Sequence, residues 1–107
     1  MPLLSRAGAT LEADGAALVV HGEVGFEVAA ELAEEGVAWL RGRPGGSGVA
    51  FDLSGVAGVS SAALSVLLEW TRTARAADLR LEAVRLSPAL GRLTDLAGLD
   101  RLLPLAA

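Results

Sequence analysis

Apolar and polar positions along the chain change period several times, and the changes mark alternating strands and helices. Ala9–Glu12 carries a weak strand signal, followed by Asp14-Gly15, a good hairpin turn. Ala17–His21, with Leu18, Val19 and Val20 together, predicts a stronger strand that stops at Gly22. From Phe26 to Arg41 the spacing turns helical, with Phe26, Ala29, Ala30, Ala33, Val37 and Leu40 expected on the buried face. Gly36 interrupts that helix at a propensity cost of about 1 kcal/mol. Gly42–Gly48 is a loop, and Val49–Leu53 reads as a buried central strand, apolar apart from Asp52.

Ser54–Val59 connects that strand to a second helix, which starts at Ser60 or Ser61 and runs to about Ala77. Leu79–Val84 alternates as a strand. Ser87-Pro88 then supplies an N-cap and a first-turn proline for a third helix that Gly98 ends. The order β-β-α-β-α-β-α predicts an α/β fold, with helices packed on a mixed central sheet of about four strands. One domain is expected over residues 1–107, since 107 residues leave little room for a second core.

Composition narrows the function classes. Hydrophobic residues reach 52% and mean hydropathy is +0.49, but much of this is alanine. The uncharged stretch between Asp52 and Glu69 is shorter than the roughly 20 apolar residues of a spanning helix, and serines interrupt it. Met1–Ala9 has no apolar run fit for a signal peptide, so a cytoplasmic protein without direct membrane insertion is expected. A net charge of −4 argues against a nucleic-acid partner bound through its phosphates. Two Trp and two Phe give no stacking platform for bases. Without cysteine there is neither a disulfide framework nor a thiolate zinc site.

Catalytic chemistry is hard to assemble from what remains. Gly42–Gly48 lacks the Lys-Ser/Thr and the following helix of a phosphate-binding loop. His21 is the sole histidine, at a strand end, and reads as structural. Glu27, Glu31, Glu34 and Glu35 form a solvated helix face. No catalytic residues, metal ligands or cofactor are assigned. Asp52 leaves two readings open: a functional group at the end of a strand, or a local brace for the following turn.

The informative stretch is Asp52–Trp70: a strand ending in an acid, a short loop, then two serines opening an amphipathic helix. Those serines fall among the unpaired amides of a helix N-terminus, where added negative charge is favoured. Ser60 is also an ordinary N-cap candidate. At about 100° per residue, Ala63, Val66, Leu67, Trp70, Ala74 and Ala77 cluster on the face expected to be buried. Ser61, Ser65, Glu69 and Arg72 form the opposite stripe. Leu64 and Leu68 lie beside it, either packed under a neighbouring helix or exposed as a contact patch. Such a patch also allows a homodimer.

The stretch Phe51–Trp70 resembles the central motif of STAS domains. Asp52-Leu53-Ser54 matches its first part, and Ser60-Ser61-Ala62-Ala63-Leu64 occupies the second. Leu93–Leu103, with Gly98-Leu99 as its core, looks like the family's closing helix. In the family, the hydroxyl at the position of Ser61 is the regulatory site, phosphorylated in anti-sigma-factor antagonists. This chain departs from that pattern, with Ser60 where an aspartate is usual and Ala63 where a glycine is usual.

Ser60–Leu68 and Leu102–Leu105 are more similar to the MlaB branch. The resemblance implies a non-catalytic subunit that binds the MlaF-like ATPase of an ABC transporter moving phospholipid, which maintains outer-membrane lipid asymmetry. It would then associate peripherally with the inner membrane through that transporter. The implied contact residues are Ser60, Ser61, Leu64, Ser65 and Leu68, supported by Asp52 and Ser54. The alternative is an anti-sigma-factor antagonist switched by a serine kinase at Ser61.

Overall fold

In the computed structural model, which describes residues 1–58 and 60–105, a single mixed sheet carries three helices. The strands are β1 (Pro2–Arg6), β2 (Ala9–Asp14), β3 (Ala17–Gly22), β4 (Gly48–Val56) and β5 (Arg80–Leu86). The helices are α1 (Phe26–Arg41), α2 (Ser61–Ala76) and α3 (Pro88–Leu96), followed by a 3-10 turn at Asp100–Leu102. The spatial order of strands follows the sequence, with β1–β2 and β2–β3 antiparallel and β3–β4 and β4–β5 parallel. Helices α1 and α2 are the two crossovers that parallel pairing requires.

The sheet has five strands where the sequence pattern predicts about four. The additional one, β1, pairs through a tight turn in which Ala7 and Gly8 both take positive φ. It lies at the sheet edge and its side chains are half-buried or exposed. That explains why Pro2–Arg6 carries no clear alternation of apolar and polar residues.

Register separates the two faces of the sheet. Ala13, Leu18, Phe51 and Val84 face one another across four strands, and all four are buried. The next row, Glu12, Val19, Asp52 and Arg85, points to the other face and is half-buried or exposed. The core therefore sits on one side, under the helices. Past the 3-10 turn the chain returns along the outer edge of β5, where the Val84 amide donates to Pro104 O at 2.9 Å. This return partly covers an edge that would otherwise offer unpaired backbone groups.

Helix α2 buries Ala63, Val66, Leu67, Trp70 and Ala74, as its periodicity predicts, while Ala77 is half-buried. Helix α1 is turned from its expected orientation. Its buried stripe is Val28, Leu32, Gly36 and Leu40. Ala29, Ala33 and Val37 only flank the core, and Phe26 and Ala30 are exposed. The physical reason is side-chain size. Alanines set the apparent periodicity, but a buried Val or Leu removes far more apolar area from water.

The path from β3 into α1 depends on Gly22. Its φ of +92° suits glycine alone, and a Cβ there would collide with Gly8 O. Gly8 O accepts the Glu23 amide at 3.1 Å, and Gly22 O accepts the Ala57 amide at 2.9 Å. The β1–β2 turn, the lead into α1 and the lead into α2 are thus tied at one point.

Candidate functional site

The site begins midway along β4, which continues to Val56 through part of the Ser54–Val59 connection that the sequence pattern predicts. Asp52 Oδ1 accepts from the Ser54 hydroxyl at 2.6 Å and from the Ser54 amide at 3.0 Å. Burial pushes this carboxyl up, but the Ser54 hydroxyl and amide, with Arg85 and His21 nearby, outweigh it and hold the pKa below its ordinary value. The carboxylate is engaged in a brace within the strand. Ser54 is exposed and occupied by the same contact. Of the two readings of Asp52, a local brace accounts for its hydrogen bonds, but it holds the continuing strand and not a following turn. His21 lies exposed on the open face, its ring over Gly55, where a Cβ would collide with it.

Two adjacent serines then take different roles. Ser60 is 9% exposed; its hydroxyl donates to Val24 O at 2.7 Å and accepts the Ala63 amide at 2.9 Å. It is the N-cap of α2 and at the same time ties α2 to the segment leading into α1. Of the contact residues that the sequence suggests, Ser60 is the one whose hydroxyl both donates and accepts inside the fold. Ser61, the first residue of α2, is exposed.

Beyond it the polar stripe stays outward. Ser65 is exposed and its hydroxyl donates to Ser61 O at 3.1 Å; Arg72 pairs with Glu69 at 2.6 Å at the surface. Leu64 and Leu68 are both half-buried. Leu64 packs against the core with part of its side chain left outside. The ledge that α2 presents is therefore Ser61, Ser65 and the outer parts of Leu64 and Leu68.

Two concavities border this ledge. A groove of about 590 Å³ between α1 and α2 has Ala29, Ala33 and Val37 on one wall and Ser65, Val66 and Glu69 on the other. A smaller hollow, about 300 Å³, lies between the starts of the two helices and is bordered by Glu23, Phe26, Glu27, Ala57 and Ser61. The sequence pattern places Phe26 inside the fold, yet it is 81% exposed at this hollow. The available clue was local: Val24 and Val28 flank Phe26 and take the buried positions at the start of α1.

Among the described residues, no three His, Cys, Asp or Glu side chains gather in a way that could hold a metal ion. No helix among them is long and apolar enough to cross a membrane. What the ledge offers is hydroxyls and apolar edges on a fixed helix pair, with carboxylates in the concavities beside it.

Known proteins agree with this architecture. A solved structure described as an anti-sigma factor antagonist from Mycobacterium paratuberculosis is similar over 91% of this chain and 82% of that one, at 25% identity and a TM-score of 0.65. No curated protein matches the chain. The family model described as "Mlab, STAS domain" matches residues 8–104, a span that takes in β2 to β5 and all three helices. The chain belongs to this MlaB-type family of STAS domains.

Proposed function

We propose that this STAS domain is a non-catalytic adaptor that grips the ATPase subunit of an ABC phospholipid transporter. The contact is made by Ser61, Ser65, Leu64 and Leu68 on α2. The protein would then work at the cytoplasmic side of the inner membrane, held there by the transporter. Asp52 and Ser54 support the contact from behind by bracing the middle of β4. The observation that carries the reading is the exposure of Ser61 at the start of a helix whose opposite face is locked into the core, in a chain of the MlaB-type family.

A pull-down with the co-expressed ATPase tests it. Ser61→Glu or Ser61→Arg should weaken recovery of the complex while the domain stays folded. Unchanged recovery with both variants rejects this face as the contact.

A second reading, an anti-sigma-factor antagonist switched by phosphorylation of Ser61, is favoured by the same exposure and by the similarity to such an antagonist. A helix N-terminus accommodates added negative charge. Glu23 and Glu27, however, border the same hollow as Ser61 and would repel a phosphate there. Intact-mass measurement after incubation with a cognate serine kinase separates the two, since only the switched antagonist gains a phosphate.

A further inference from the structure

We propose that Phe26 is a second anchor of the docking surface, received by the ATPase subunit in an apolar socket with a basic rim. The inference rests on the adaptor reading above and extends its contact from α2 to the start of α1.

Phe26 is a large aromatic side chain left 81% exposed, outside the core cluster of the described residues. Val24 and Val28 already supply the buried contacts at this helix start, at 6% and 0% exposure. Large aromatic side chains dominate interface energetics because they remove much apolar area from water at small cost in rotamer freedom.

The backbone around Phe26 is held on both sides. Val24 O accepts the Ser60 hydroxyl at 2.7 Å, and Gly25 O accepts the Val28 and Ala29 amides at 3.2 and 3.0 Å. Glu27 O accepts Arg6 Nη1 at 2.9 Å, and the same guanidinium pairs with Glu31. A side chain presented from such a fixed segment loses little freedom on binding.

Phe26 and Ser61 border one hollow, so a single partner surface reaches both. Charge indicates the chemistry of that surface. The charged residues of the hollow, Glu23 and Glu27, are both acidic and exposed, and among the described residues no basic one lines it. An apolar socket flanked by Arg or Lys complements an aromatic ring between two carboxylates.

The test is titration of the purified ATPase subunit into the wild-type domain, Phe26→Ala, Phe26→Leu, the double variant Glu23→Gln/Glu27→Gln, and Ser61→Arg. Phe26→Ala should weaken binding by roughly tenfold or more, with its thermal midpoint unchanged because the ring contributes nothing to the core. Phe26→Leu should recover most of the affinity. The double Gln variant should bind more weakly and with a shallower salt dependence.

Wild-type affinity in Phe26→Ala, alongside weakened binding in Ser61→Arg, overturns the anchor and leaves the adaptor reading standing. No binding by the wild-type domain overturns both. A wild-type dimer that Phe26→Ala converts to monomer, with ATPase binding unaffected, assigns the ring to a second copy of the chain and likewise overturns the proposal.

Discussion

The indole of Trp70 lies against Gly36, where a side-chain carbon would collide with Nε1, and that Nε1 donates to Ala33 O at 3.2 Å. Trp70 also meets Phe51 of the sheet, ring centroids 5.5 Å apart and tilted by 55°. One side chain thus sets the spacing of α1, α2 and the sheet, and with it the geometry of the ledge and both concavities.

Gly36→Ala sets two effects against each other. Alanine in a helix interior gains about 1 kcal/mol of propensity over glycine, whereas overpacking a tight contact costs roughly 1–3 kcal/mol. The indole is fully buried and hydrogen-bonded, so it has little room to yield. A net loss of stability is expected in urea unfolding followed by Trp fluorescence. A stabilised Gly36→Ala would show that the two helices are not in contact there.

Adjacent serines should respond differently to alanine. Ser60→Ala removes an N-cap and a buried hydrogen bond to Val24 O, and should cost about 1–2 kcal/mol. Ser61→Ala, at an exposed position, should stay within about 0.5 kcal/mol of wild type. Thermal unfolding of the two variants checks this, and equal losses would contradict the division of roles.

Asp52 should make stability fall in acid. Its pKa in the folded protein lies below the ordinary value of 3.8. The ionised carboxylate therefore contributes stability that is fully present above that value and is lost as pH falls through the lower, folded value. Urea midpoints measured from about pH 6 down to about pH 2 should show a shallower acid decline in Asp52→Asn than in wild type. Identical slopes would mean that the Ser54 contacts do not favour the charged form.

Much of the architecture was legible because large side chains carried its pattern. Val66, Leu67 and Trp70 fixed the buried face of α2, and Phe51 with Leu53 marked β4. Where small residues dominated, periodicity misled. The alanines of α1 suggested a face that Val28 and Leu32 overruled, and this placed Phe26 inside when it stands outside. Gly36 read as a local weakness until Trp70 supplied the reason for it.

The serine pair shows the same limit at the candidate site. Spacing marked a helix start at Ser60 or Ser61, but it could not tell which hydroxyl turns inward. That depends on Val24 O, which is 36 residues away along the chain and reaches Ser60 only through the tertiary fold.

The most direct test of the adaptor account is the affinity of the purified ATPase subunit for the wild-type domain and for Ser61→Arg, measured calorimetrically. The account predicts affinity lower by roughly tenfold or more in the variant, with an unchanged thermal midpoint. Equal affinities, with both proteins folded, would contradict it.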